Sequence, residues 1–250
     1  MEKKRFYIKT YGNDDEAYRE AVKFACQLAE DDSDISRVVF LANTKSNTGW
    51  LERLYGQKTV NKLFSGMEFK DCKPTFIIKT RKTYSDPHSS KDIVITMGLD
   101  SEDVMKVDDF YGVKAIIAIP WLLEQLEDWV QTWAPTDIRT QKQPENYPLP
   151  DPIVQEAMKE LTSSVNMTTG IHHHSDEHQA KTFIRALHKY MDGLNGDIVA
   201  AYMVRELGWK ADHARDIKKL IDTLNNGKYF KGGEKTYLKA HINRWKANLK

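Results

Sequence analysis

The sequence predicts an α/β fold, a mainly parallel sheet with helical crossovers, followed by a small all-α region. Three observations predict it. Strand-like and helix-like patterns alternate from residue 5 to residue 133. Five of the eight prolines then crowd into "APTDIRTQKQPENYPLPDP" (134–152). Beyond that segment, apolar residues recur at helical spacing and little strand pattern remains.

The elements follow in order. "RFYIKTY" (5–11) reads as a strand. In "NDDEAYREAVKFACQLAE", Ala17, Ala21, Phe24, Ala25 and Leu28 share one helical face, with Asn13 or Asp14 as N-cap and acids in the first turn. "RVVFLA" (37–42) is a continuous apolar run, the pattern of a strand covered on both faces. "GWLERLYG" opens a helix that continues, with a break, towards Phe64. "PTFIIKT" (74–80) and "DIVITMGL" (92–99) are two more strands. No helical pattern separates them, so they can be parallel or form a hairpin. "SEDVMKVDDFYG" is a short helix and "VKAIIAIP" (113–120) a strand. "WLLEQLEDWVQTW" is a helix with Trp121, Leu122, Leu126, Trp129 and Trp133 expected on its core side. Five strands with helical crossovers make residues 1–133 a Rossmann-like α/β domain.

Proline fixes its own backbone and pushes the preceding residue away from helix, so residues 134–152 are expected to be an extended linker. Residues 153–250 then form the α-helical domain, with helices expected at 152–164, 176–191, 197–207, 211–225 and 236–248. Glycine or asparagine punctuates them.

Composition bounds the class. At 250 residues, with 40% hydrophobic and 29% charged residues, the chain reads as an ordinary globular protein. Its longest apolar-rich run, "VKAIIAIPWLL" (113–123), is far short of the roughly 20 residues that cross a bilayer. "MEKKRF" has no apolar stretch behind it, so no secretory signal is expected and the cytoplasm is the default. Cys26 and Cys72 alone make neither a disulfide framework nor a zinc site. The net charge of +1 hides an asymmetry, because residues 204–250 carry 12 Lys/Arg against 5 Asp/Glu.

In a parallel sheet, ligands bind outside the carboxyl ends of the strands. The loops there are 10–13, 43–49, 79–84, 98–103 and 120–121. The residues expected to contact a ligand are Thr10, Asn13, Asn43, Thr44, Lys45, Ser46, Thr48, Gly49, Lys79, Arg81, Asp100 and Ser101. The 43–49 loop has what anion binding requires: small hydroxyl and amide side chains, a glycine, a lysine and a helix start. The same residues also suit an ordinary strand-to-helix turn. In "GLDSEDV", Asp100, Glu102 and Asp103 could take a ribose hydroxyl or a metal, or act as a base; equally, they supply a cap and complement the helix dipole. No GxGxxG and no GxxxxGK[ST] occurs, so no motif names a cofactor.

"NTKSNTGW", following an apolar strand, resembles the phosphate-holding loop in the C-terminal α/β domain of pyruvate kinases. The resemblance covers residues 38–50 and implies phosphate contacts at Thr44, Lys45, Ser46 and Thr48. Asn47 stands where that family has glycine, and Gly49 comes two places later. The resemblance speaks to fold type and a phosphate-sized site, and says nothing of catalysis.

"GIHHHSDEHQAKTF" (170–183) brings His174 and His178 to i,i+4 spacing if the helix starts early. Ser175 also reads as an N-cap, which would leave His172 to His174 in a loop, and no metal site is expected. In the basic end, Lys210, Arg215, Lys218, Lys219, Lys228 and Lys231 alternate with aromatics. Helices at 197–207 and 211–225, joined by "GWK" and followed by "GKYFKGG", suit a helix-turn-helix with a wing.

Two functions follow. One is binding, with or without turnover, of a nucleotide or other phosphorylated small molecule at the strand edge, the helical region serving as a cap or homo-oligomer element. The other is a nucleic-acid-binding or adaptor role for the basic helical region. No nucleophile–base pair stands out, and no membrane partner is expected.

Overall fold

The structure, a computed structural model, describes residues 3–12, 14–70 and 72–249. Two compact units divide the chain, Met1–Asn146 and Tyr147–Lys250. The boundary falls inside the proline-rich segment.

The first unit alternates strands and helices: β1 (Lys4–Tyr7), α1 (Asp15–Asp31), β2 (Arg37–Ala42), α2 (Gly49–Tyr55), α3 (Gln57–Leu63), β3 (Met67–Glu68), β4 (Thr75–Thr80), β5 (Asp92–Met97), α4 (Ser101–Asp108), β6 (Val113–Ile119), a 3-10 turn (Leu123–Leu126), α5 (Glu127–Trp133) and β7 (Thr136–Asp137). Among the described residues these strands form one sheet in the order β3-β4-β2-β5-β6-β1-β7. Among the described residues only the β3–β4 pair is antiparallel. The α/β fold with a mostly parallel sheet is therefore what the alternating patterns predicted. β4 and β5 do not form a hairpin, since β2 lies between them and pairs parallel with both.

The central strands are apolar because both faces are covered. Val38, Phe40 and Ala42 of β2 face a core shared with Ala17, Ala21 and Ala25 of α1, Leu51 of α2 and Leu63 of α3. Val39 and Leu41 face the opposite core, with Val104 of α4, Leu126 of the 3-10 turn and Trp129 of α5. α1 starts where its cap residue places it: the Asp14 carboxylate accepts the Ala17 N–H at 3.0 Å. Two buried carboxylates tie strands and helices together. Asp92 accepts from Arg37 (2.7 and 3.0 Å), Tyr84 (2.9 Å) and Ser90 (2.8 Å). Asp108 accepts from Arg5 and from the Trp129 indole N–H at 2.8 Å.

Three expectations change. Cys26 of α1 and Cys72, just before β4, form a disulfide with Cα atoms 5.5 Å apart. The pairing depends on α1 lying over the β4 end of the sheet, which spacing alone does not reveal. Trp121 and Leu122 are exposed, at 50% and 45%, and not on a core face. They precede the helix, whose first turn begins only at Leu123 with the Gln125 side chain accepting the Leu122 N–H at 3.1 Å, so helical periodicity does not apply to them. The front of the expected linker is also folded. β7 pairs parallel with β1, and the buried Asp137 organises a turn by accepting from Arg139 N–H and the Thr140 hydroxyl. Thr136 and Asp137 are not prolines and can join an edge strand.

The second unit holds α6 (Pro152–Ser164), α7 (His174–Tyr190), α8 (Gly196–Leu207), α9 (Ala211–Asn225) and α10 (Leu238–Asn248), and no strand among the described residues. α6 begins at Pro152 because Asp151 caps the Ile153 N–H at 2.8 Å and proline suits the first helical position. Ala180, Phe183, Ile184 and Leu187 of α7 are buried, as are Ala214, Ile217, Ile221 and Leu224 of α9. Trp245 of α10 is fully buried and donates to Glu160 of α6 at 2.7 Å.

Candidate functional site

Two crevices open at the carboxyl edge of the sheet. β1 leads into α1 on one face, whereas its neighbour β6 leads into α5 on the other. β2 and β5 diverge in the same way, into α2 and α4. Strands whose connections part to opposite faces leave a cleft between their loops, the usual ligand position in such sheets.

At the first cleft the chain after β1 meets the chain after β6. The Gly12 N–H donates to the Trp121 carbonyl at 2.7 Å. This brings together two exposed aromatic side chains, Tyr11 at 60% and Trp121 at 50%, with Leu122 beside them. The Tyr11 hydroxyl lies 3.4 Å from a Glu124 carboxylate oxygen. Thr10 is buried, and its hydroxyl donates to Asp14 at 2.7 Å. Asp14 also accepts from Arg139 at 2.9 Å. Burial alone pushes the Asp14 carboxyl up, but the bonds from Thr10, Ala17 and Arg139 outweigh it and hold it below its ordinary value. Asn13 lies outside the described residues.

The second cleft contains the 43–49 loop. Asn43, Thr44, Lys45, Ser46 and Gly49 are exposed. The loop closes on itself: Asn47 N–H donates to the Thr44 carbonyl at 3.1 Å, and the Asn47 side chain accepts from Thr44 N–H at 3.2 Å and from its hydroxyl at 2.5 Å. Thr44 and Ser46 hydroxyls are 2.8 Å apart. Thr48 is buried and donates to the Lys45 carbonyl at 3.1 Å, so its hydroxyl is engaged by its own turn. The Lys45 ammonium is 6.0 Å from the Phe64 ring centre and makes no ion pair among the described residues. A Cβ at Gly49 would meet nothing within 4 Å, so neither space nor backbone conformation there demands glycine. Next to the loop, Trp50 stacks on the buried Tyr18 at 3.5 Å, and burial pushes the Tyr18 hydroxyl up to about 12.

The remaining edge residues are structural in their contacts. Arg81 pairs with Asp103 at 2.6 Å, a hydrogen bond that raises the guanidinium further. Asp100 caps α4 by accepting the Asp103 N–H at 3.0 Å. Ser101 donates to the Gln125 carbonyl at 2.9 Å and accepts the Trp129 N–H at 3.1 Å, joining α4 to α5. Lys79 is half-buried on β4. The acidic string therefore serves as cap and cross-brace, whereas Tyr11, Asn43, Lys45 and Trp121 remain exposed at this edge. Tyr11 and Trp121 lie in the expected edge loops 10–13 and 120–121 but are not among the expected contact residues, because their exposure depends on where β1 and β6 end.

In the second unit, α7 starts at His174, with His173 and not Ser175 at the cap position. His174 and His178 are thus both helical, their rings 6.5 Å apart. No group of three His, Cys, Asp or Glu residues able to hold a metal occurs among the described residues. The basic helix α9 is largely neutralised. Lys218 pairs with Asp197 (2.6 Å) and Asp222 (3.1 Å), and Lys219 pairs with Asp216 (2.9 Å). Arg215 is half-buried, and Lys210 precedes α9 on the surface. No wing follows, since residues 226–237 contain no strand. Lys228 and Lys231 are exposed on this strap. Among the described residues, no helix is long and apolar enough to cross a membrane.

Residues 150–246, nearly all of the second unit, match the model of a domain of unknown function (DUF1889). Comparison of the chain with curated proteins returns no match, and comparison with solved structures returns none.

Proposed function

We propose that the first unit, read as a Rossmann-like sheet, binds a nucleotide or other phosphorylated small molecule at its carboxyl edge. One observation carries this reading: two large aromatic side chains, Tyr11 and Trp121, stand exposed where β1 and β6 part. Exposed aromatics cost free energy unless something covers them, and a planar ring suits them. The phosphate contact falls to the exposed Asn43 and Lys45 in the neighbouring cleft, with Thr44 and Ser46 held in place by the turn. The resemblance of residues 38–50 to the pyruvate kinase phosphate loop supports this for Lys45 and the two hydroxyls. It does not extend to Thr48, whose hydroxyl is occupied.

The test is a thermal-shift screen of ATP, GTP, NAD, sugar phosphates and inorganic phosphate. A compound present at 100 times its dissociation constant stabilises the native state by about 2.7 kcal/mol. Lys45→Ala removes a charge-assisted hydrogen bond worth roughly 1.5–3 kcal/mol, so affinity drops about tenfold or more. Trp121→Ala drops it for nucleotides but not for phosphate, and Lys58→Ala, on an exposed position of α3, changes neither. If no compound shifts the wild type, or if Lys45→Ala and Trp121→Ala respond as the wild type does, the edge is only a set of connections.

A further inference from the structure

We propose that the second unit carries a separate site for single-stranded nucleic acid, in a pocket between the end of α7 and the strap that follows α9. The pocket has a volume of about 520 Å³, and its polar lining is Arg185, His188, Lys189, Lys228, Tyr229 and Lys235. Among the described residues no carboxylate lines it. The four Lys and Arg residues make no ion pair among the described residues, in contrast to Lys218 and Lys219 on α9. Uncompensated like charges around one cavity repel each other and attract a polyanion.

The strap is built onto α7. Arg185 donates to the Phe230 carbonyl at 2.6 Å and the Gly232 carbonyl at 3.0 Å, and its guanidinium lies 4.5 Å from the Phe230 ring centre. The Thr182 hydroxyl accepts the Glu234 N–H at 2.8 Å. Gly233 has φ +74°, and a Cβ there would come within 2.9 Å of the Lys181 carbonyl carbon, so only glycine permits this approach. These contacts fix Lys228, Tyr229 and Lys235 around the cavity. Arg185 retains one buried Nε with no hydrogen-bond partner, an unusual donor to leave unmet.

The polymer class follows from the aromatic. Tyr229 is 86% exposed beside the cations, as a stacking platform for an unpaired base would be. Successive phosphates of the strand meet the cations around the cavity, and a base between them lies on the Tyr229 ring. A duplex keeps its bases stacked inside and cannot use that ring.

Fluorescence anisotropy of the full chain with labelled dT12 and U12 tests this. Binding weakens with salt, and four cations on phosphates give a log–log slope of about −3, at roughly −0.7 per contact for single strands. Lys228→Ala and Lys235→Ala each make the slope shallower by about 0.7. Tyr229→Ala weakens binding about tenfold. Lys218→Ala, at a paired position, leaves the slope unchanged, and Lys58→Ala, on an exposed position of α3 in the first unit, leaves binding unchanged. The proposal is overturned by the absence of binding in 50 mM salt, or by binding that ignores Lys228→Ala and Lys235→Ala. Equal affinity for a 12-base-pair duplex that Tyr229→Ala does not alter would overturn the single-strand assignment. A thermal shift of the wild type by millimolar inorganic phosphate that Lys228→Ala and Lys235→Ala abolish, without any oligonucleotide binding, would reduce the pocket to a small-anion site, and would also overturn it.

Discussion

Reducing the Cys26–Cys72 bond tests how the first unit is held together. The bond closes a loop with a sequence separation of 46, spanning part of α1, β2, α2, α3 and β3. In the chain-entropy picture a loop of that length removes enough unfolded-state freedom to stabilise the fold by about 4 kcal/mol. At a urea dependence of about 2 kcal/mol per molar, the midpoint of the transition falls by about 2 M on reduction. Nothing else at the site is lost, because Cys72 is buried and Cys26 packs on the core as small apolar groups do. The reduced unit therefore stays folded in native buffer. The assay is urea unfolding with and without dithiothreitol, followed by tryptophan fluorescence, with thiols counted in urea before and after reduction. Replacing both cysteines by alanine gives the matched variant, insensitive to reductant. Two reactive thiols in protein purified without reductant would refute the reasoning at its base. Identical midpoints for bonded and reduced protein would refute the magnitude.

Other parts of the account can be checked in the same way. Asp92 is fully buried and Arg37 is its only cationic partner among the described residues, so Arg37→Ala strands a charge and destabilises the chain by about 3 kcal/mol in urea titration. Tyr84→Phe removes a single hydrogen bond to the same carboxylate and costs less, about 1–2 kcal/mol. Asp14 has a lowered pKa, so its stabilisation is complete above the ordinary value of 3.8 and is lost as pH falls through the lower folded value. In an acid titration of stability, Asp14→Asn is therefore less stable than wild type at pH 6, and the gap narrows below pH 4. A gap that widens with acid would contradict the assignment.

Much of the fold is legible in the chain because the relevant physics is local. The continuous apolar run at positions 38–42 has the pattern of a strand covered on both faces, and Asp151 followed by Pro152 marks the start of α6. The break between α2 and α3 falls at Gly56, where φ is +79°. What escaped depends on distant residues meeting. Cys26 finds Cys72 only once α1 crosses the sheet. Trp121 shares the helical period of Leu126 and Trp129 in the sequence, but the first turn starts only at Leu123 and leaves it outside. The basic excess of residues 204–250 includes Lys218 and Lys219, which sit beside their own carboxylates, and does not include Arg185 and Lys189 on α7. Their i,i+4 spacing near the end of a helix was the available signal, but their union with Lys228 and Lys235 is made by the strap.

The most direct test of the strand-edge reading is a two-dimensional amide ¹H–¹⁵N spectrum of the full chain, titrated with the nucleotide that gives the largest thermal shift. The account predicts that shifted amides cluster at residues 10–14, 43–49, 98–101 and 120–123, on loops that only the folded sheet brings together. Shifts scattered across the surface, or confined to residues outside those loops, would contradict it.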